Sequence, residues 1–186
     1  QRSMYDLWDY MQEQGHKHSK QEKTLRQKVT NLDNENFSSA LQNFTISKTV
    51  SKRLLHYNNI IAPALYHPPA LANAFFQNDS SNLLGDFIFA PSRFEPLKRQ
   101  HLLLEALNLT TQPVKAVLTG QGSTNSHLRS LINHYHLQDR VIIHTQMDEA
   151  DMIAHYKNSL AVFFAPYDED YGYVTLEAML AKKAVV

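Results

Sequence analysis

Cysteine is absent from the 186 residues, which excludes disulfides and thiolate metal sites and fits a reducing cytosol. Neither sign of charge is in excess, with 18 Lys and Arg against 18 Asp and Glu. A nucleic-acid binder needs a basic surface field, so that class of partner is excluded. No apolar run approaches the roughly 20 residues that span a bilayer, and the opening residues do not read as a secretory leader. A third glycine that would complete a dinucleotide fingerprint after Gly120-Gln-Gly122 is also missing. What remains is a chain with 43% hydrophobic residues, enough for a proper core, and the expectation of a cytoplasmic protein.

The chain falls into two unlike parts, with a boundary expected at 82/83, where the polar stretch Asn78 to Asn82 ends. In residues 1–82, Met4, Leu7, Trp8 and Met11 recur at helical spacing and form an apolar stripe. The stripe packs on later residues or on a surface outside this chain. Gln12 to Asn36 is nearly all polar and reads as a solvated helix or a mobile connection. Phe44-Thr-Ile46 reads as a short strand, and Ser47 as the cap of a helix from Lys48 to Tyr57.

Residues 83–186 alternate regularly. Phe87–Ala90, Val114–Leu118, Val141–Ile143, Leu160–Phe164 and Ala184–Val186 read as strands. Lys98–Leu109, Ser126–Tyr135, Asp148–Tyr156 and Tyr173–Ala181 read as helices between them, with Ser126 and Asp148 as caps. Strands apolar on both faces, alternating with helices, predict an α/β fold: a Rossmann-like parallel sheet with helices on both faces. Ligands of such sheets sit at the carboxyl ends of the strands. The last strand stops where another helix is expected, so the domain reads as incomplete at its C-terminus.

Glu177 is the most informative residue. At about 100° per residue, it falls within the apolar arc formed by Tyr173, Val174, Leu176, Ala178, Leu180 and Ala181. A bare carboxylate there is costly unless paired. Two accounts fit: a core Glu bonded to an Arg or to backbone, and a carboxylate facing a ligand cleft, where it accepts hydrogen bonds from sugar hydroxyls. Asp168-Glu169-Asp170-Tyr171-Gly172 follows a strand, which puts it in a ligand-side loop. Gly172 permits close backbone approach, and the free N–H groups of the next helix suit an anion. Arg93 and Lys98 follow the first strand; the guanidinium offers a two-pronged bond to phosphate and the ammonium a point charge. A cation at the helix start, as Lys98 is read, is disfavoured by the helix dipole unless a diphosphate compensates. Solvated surface cations are the plain alternative. Gly120-Gln-Gly122 reads as a cleft floor.

With these residues in place, Phe87 to Val186 resembles the donor lobe of retaining glycosyltransferase family 4, which has the GT-B fold. Arg93-x4-Lys98-Arg99 with Leu102-Leu-Leu-Glu-Ala-Leu107 resembles the diphosphate-binding segment, and Leu118-Thr-Gly-Gln-Gly122 the strand-end turn. Asp139-Arg140-Val141 through Gln146 and Met147 resembles the segment whose backbone holds the base. Glu169-x7-Glu177 resembles the paired-glutamate motif. Thr145 stands where Gly is common in the family, and Ala184 where Pro is usual. Ser3-Met-Tyr-Asp-Leu-Trp-Asp, Ile46-Ser47 with Ser51-Lys-Arg-Leu, and Leu65-Tyr-His-Pro-Pro69 resemble the end of the acceptor lobe in mannosyltransferase-like members, making residues 1–82 a fragment of that lobe and the linker.

The resemblance implies transfer of a sugar, with retention, from GDP-mannose or a UDP-sugar to a glycan or lipid-linked acceptor. No cofactor and no metal ion is implied. Arg93, Lys98 and Glu169 carry the catalytic roles: the two cations neutralise the leaving diphosphate and Glu169 touches the sugar. Glu177 holds the ribose, Gly120 with Gln146 and Met147 meets the nucleotide, and Gly172, Tyr173 and Val174 supply backbone N–H groups. Catalysis would also require the rest of the acceptor lobe, so donor binding without transfer is expected of this chain. A peripheral contact with the inner face of the membrane would suit a lipid-linked acceptor. Three other readings compete with this one. Asp168-x-Asp170 has the form of a metal-binding pair; the fold could serve as a non-catalytic nucleotide-sugar module; and an epimerase would need a glycine-rich loop that Ala90-Pro-Ser-Arg93 lacks. His16/His18 and His134/His136 lack the i, i+4 spacing of paired ligands on one helix face and read as surface histidines.

Overall fold

The computed structural model describes residues 2–77 and 85–186, and the chain divides between His67 and Pro68 into two units. The boundary expected at 82/83 lies outside the described residues. The second unit begins ahead of it because Leu71, Ala74 and Phe75, at helix α4 (Ala72–Gln77), pack in its core.

The first unit is helical. Helix α1 (Asp6–Glu13) carries the apolar stripe, and part of that stripe is covered within the unit. Trp8 is buried, stacked on the His18 ring at 3.5 Å, with the Arg26 guanidinium 5.0 Å from its centroid. Met11 stays exposed. Arg26 belongs to α2 (Lys20–Ser39), the solvated helix, which buries no residue. Its start is a capping box: Ser19 Oγ accepts from Glu22 N at 3.2 Å, and Glu22 Oε2 accepts from Ser19 N at 2.7 Å. Ser47 caps α3 (Lys48–Asn58) by accepting from Val50 N. The strand expected at 44–46 is reduced to one bridge between Thr45 and Ala64. Polar cross-links dominate this unit. Tyr5 donates to Asp33 and Tyr57 to Asp9, each at 2.7 Å, and Arg53 meets Asp6 at 3.3 Å.

In the second unit the alternation of side chains along each strand decides the architecture. Strands β1 (Phe87–Pro91), β2 (Lys115–Thr119), β3 (Val141–His144) and β4 (Ala161–Val162) are all parallel, in the order β3-β2-β1-β4. Ala90, Ala116 and Leu118 pack with α5 (His101–Leu109) and α6 (Asn125–His134). Phe89, Val117 and Val162 pack with α4, α7 (Glu149–Asn158) and α8 (Tyr173–Leu180). Each face of the sheet thus has its own apolar layer. The expected last strand is a single bridge from Val185 to Val162 on the outer edge of β4.

Two local readings are corrected. Ser126 is not a cap: α6 starts one residue earlier, at Asn125, after Thr124. The helix expected from Lys98 is interrupted, because Arg99 takes a left-handed φ of 52° after a 3-10 turn, Pro96–Lys98, and α5 begins at His101. Asp148 does cap α7, accepting from Asp151 N at 2.8 Å. No helix among the described residues is long and apolar enough to cross a membrane.

Arg140, at the entry to β3, donates to the carbonyls of Val114, Leu107 and Gln112 at 3.1, 3.0 and 2.9 Å. The guanidinium fastens the loop before β2 to the amino end of β3. Arg140→Ala is expected to lower stability by about 1–3 kcal/mol, from lost hydrogen bonds to a charged donor. Urea unfolding measures the loss; an unchanged midpoint would remove Arg140 from the framework.

Candidate functional site

In a sheet of order β3-β2-β1-β4 the chain runs outward from β1 through β2 to β3, then returns to place β4 on the other side of β1. That reversal opens a crevice at the carboxyl ends of the strands. A cleft of ≈ 450 Å³ lies there, walled by the ends of β1 (Pro91, Ser92), β2 (Thr119, Gly120) and the segment after β3 (Thr145 to Met147), and by α7 and α8. Of the residues expected to bind ligand, Gly120, Gln146, Met147, Val174 and Glu177 line it. Gly120 is required by space as well as by conformation. Its φ is +151°, and a Cβ there would sit 2.1 Å from the Ser92 carbonyl oxygen.

Glu177 is half-buried on α8 and accepts a 2.6 Å hydrogen bond from the Tyr156 hydroxyl. Its partner is therefore neither an Arg nor backbone. Tyr156 is wholly buried on α7, with its ring edge-on to Phe89 and to Phe75. Burial pushes the Glu177 carboxyl above its ordinary value of 4.5, and the hydrogen bond from Tyr156 opposes that rise. The Tyr156 phenol is also raised, by burial first and then by the neighbouring carboxylate. Sequence reasoning missed Tyr156. Its signal was Ile153 and Tyr156 at i, i+3 on one helix, since a tyrosine turned inward needs an acceptor for its hydroxyl.

Arg93, Lys98, Glu169, Gly172 and Tyr173 do not line this cleft. Lys98 and Glu169 are brought together: the ammonium donates to Glu169 Oε2, while Glu169 Oε1 accepts from Asp170 N at 3.2 Å. Lys98 also lies 5.6 Å from the Phe164 ring centroid. The expected conflict between Lys98 and a helix dipole does not arise. The residue precedes α5 rather than starting it, and Glu169 already balances its charge. Arg93 is exposed, and its side chain has no polar partner among the described residues. The loop beneath it is well fastened. Phe94 is fully buried, its N–H donates to Gln121 O at 2.8 Å, and Gln100 Nε2 donates to Arg93 O at 2.8 Å. Gly172 precedes α8 with φ 79° and ψ 56°, a left-handed conformation that frees the helix to start at the exposed Tyr173.

The Tyr156–Glu177 bond yields a pH-dependent prediction. A carboxyl with a raised folded-state pKa contributes most to stability below 4.5, its unfolded value, and loses that contribution as pH rises through the folded value. Tyr156→Phe removes the donor that offsets the ionised form. The variant is expected to lose about 1–3 kcal/mol near neutral pH, the usual cost of a buried acceptor left unpaired, and markedly less at pH 4. Denaturant unfolding at the two pH values measures this; equal losses at both would mean that the hydroxyl does not act through Glu177.

Comparison with known proteins agrees with this geometry. Residues 74–186 match the family model described as glycosyl transferases group 1. No curated protein matches the chain. Among solved structures, HepE of Anabaena superposes with a TM-score of 0.68 at 20% identity, over 86% of this chain and 48% of HepE. Sucrose-phosphate synthase of Thermosynechococcus elongatus gives 0.66 at 19%, over 86% and 43%. A TarM variant of S. aureus gives 0.64 at 16%, over 85% and 32%. The chain thus spans less than half the length of each of these proteins. At such identities the likeness is one of fold, and the fold is GT-B. The family model, covering the whole described sheet and the cleft at its carboxyl edge, identifies the chain as a member of the glycosyl transferases group 1 family.

Proposed function

We propose that the second unit binds the nucleotide-sugar donor of a retaining glycosyltransferase. The observation that carries this reading is Glu177: a carboxylate kept half-buried in the cleft at the strand ends, with one oxygen held by Tyr156. Its other oxygen, Oε1, is suited to accept from ribose hydroxyls. A merely structural carboxylate would gain nothing from facing a cleft. In this reading the base lies along the backbone of Gln146 and Met147, beside Gly120. Arg93 and Lys98 meet the diphosphate, Glu169 meets the sugar, and the N–H groups at Gly172, Tyr173 and Val174 support the sugar and phosphates. Neutralising the leaving diphosphate with fixed cations stabilises the charge that develops as the glycosidic bond breaks.

The pairing of Lys98 with Glu169 supports this division of labour, since the cation proposed for the diphosphate and the carboxylate proposed for the sugar lie side by side. It also favours the metal-free reading over Asp168-x-Asp170 as a metal pair, because the central carboxylate of that run already holds an ammonium. UDP appears with several of the similar structures, including HepE with UDP-glucose and TarM with UDP. UDP-sugars therefore take precedence over GDP-mannose as donors to test. The acceptor, a glycan or lipid-linked glycan, would be met by residues outside the second unit. A cytoplasmic location, with peripheral contact at the inner membrane face, suits such an acceptor. The donor is a substrate, and the reading requires no cofactor.

Calorimetry with UDP, UDP-glucose, GDP and GDP-mannose in the presence of EDTA tests the reading. Binding of a nucleotide or nucleotide-sugar without metal is expected. Arg93→Ala and Glu177→Gln should each weaken it about tenfold or more, the loss expected for a charged hydrogen bond. Strict dependence on a divalent ion, or full affinity in a folded Glu177→Gln variant, would overturn it.

A further inference from the structure

The turn between α1 and α2 brings together two imidazoles and a carboxylate that the donor-binding reading does not use. One ligand atom from each of His16, His18 and Glu22 lies within 4.8 Å of the others. This differs from the sequence expectation of two solvated histidines, which could not anticipate that the capping box would turn Glu22 back over the same turn. His16 Nε2 is 3.6 Å from Glu22 Oε1, and the rings of His16 and His18 meet edge to face at 4.6 Å.

The state of His18 makes the group more than a chance cluster. Its Nε2 is 3.3 Å from the Trp8 carbonyl oxygen, and a carbonyl can only accept, so Nε2 carries the proton. In the neutral ring Nδ1 then presents a lone pair, and this atom is buried with no hydrogen-bond partner. An imidazole whose one N–H is held by a backbone carbonyl, leaving the other nitrogen bare, has the arrangement of a metal-ligating histidine and its outer-shell support. Glu22 is prepared in the same way: Ser19 N holds Oε2 at 2.7 Å, which leaves Oε1 on the His16 side.

We infer that His16, His18 and Glu22 form a zinc site that clips the turn between α1 and α2. Two imidazole nitrogens and one carboxylate oxygen match the ligand preferences of Zn²⁺, with a fourth position left for water. The ligand atoms must draw in from 4.8 Å to a separation of roughly 3.3 Å, the edge of a tetrahedron with the usual zinc bond lengths. His16 is exposed, so its side chain can make that adjustment. Because binding requires the folded turn, zinc would stabilise the first unit by mass action.

Trp8 is the sole tryptophan and stacks on His18, so its emission reports this site alone. The test titrates the 186-residue chain with ZnCl₂ by calorimetry and with Co²⁺ by tryptophan quenching. One zinc per chain is expected, with Co²⁺ quenching Trp8 and zinc displacing it. His16→Ala alters only an exposed ring, and Glu22→Gln keeps an amide oxygen for the Ser19 cap, so both variants should fold, as circular dichroism would verify. Each should weaken zinc binding at least tenfold, and a His134→Ala/His136→Ala variant should bind like the parent. Unchanged affinity in His16→Ala and Glu22→Gln, or loss of binding in the His134/His136 variant, would overturn the assignment.

Discussion

A parallel strand can be reached from its neighbour only by a crossover that carries the chain back to the starting edge. In the second unit this constraint makes every described strand end on the same side, and the helices of the crossovers cover both faces. The loops that follow β1, β2, β3 and β4 are therefore neighbours, although they come from residues 92–100, 120–124, 145–148 and 163–172. Successive side chains of β1 and β2 enter opposite apolar layers, which fixes that edge, since a slip of one residue would turn Phe89 and Val117 to the layer that Ala90 and Leu118 occupy. Backbone hydrogen bonds then hold the floor of the cleft together. Ser92 N donates to Thr119 O, and Gly120 N donates to His144 O, each at 3.0 Å. The β1 and β2 loops approach so closely that only glycine fits at position 120.

Charge at this edge is handled in two ways. Glu177 lies where burial raises its carboxyl, and its offset is a neutral donor, the Tyr156 hydroxyl. Glu169 lies in a more open loop, and its offset is a full cation, Lys98. In the proposed donor site the difference would matter for ligand exchange. A neutral donor keeps Glu177 oriented without consuming its charge, so the oxygen left over remains a strong acceptor. An ion pair can instead be redistributed when a second anion arrives at Lys98, because the Coulomb term is shared among partners in a partly hydrated loop.

The sheet was legible because parallel strands covered on both faces read as apolar runs, and helices between them set the period. All four strands fall on the expected runs. Their ends were less legible. Leu160–Phe164 contains a regular strand of only two residues, although Phe163 N still donates to Phe89 O and Phe164 N to Val186 O. Arg99 broke an expected helix with a left-handed turn that its residue type does not signal. The cleft was legible where position decides it. Gly120, Gln146, Met147, Val174 and Glu177 all lie just after a strand or within the first turns of a helix. Tyr156 was not, because it comes from the end of α7, far from any motif, and reaches Glu177 only through the packing of α7 beside α8 on one face.

The two units also differ in what holds them, and that difference explains why one half was easier to read. The second rests on apolar layers, which leave a periodic trace in sequence. The first rests on single polar links between distant positions, such as Tyr5 with Asp33 and Tyr57 with Asp9. Such links have no period, and either partner taken alone looks like a surface residue. Burial first, and then the Asp9 carboxylate, raise the Tyr57 phenol to about 12, a shift that comes from tertiary packing rather than from local sequence. The pairing of His18 with Trp8 has the same character. A histidine in a polar turn becomes informative only once its ring is seen stacked on an indole, with one nitrogen held by a carbonyl and the other bare. Where a fold is fastened by isolated pairs, chemistry is read from the state each partner imposes on the other.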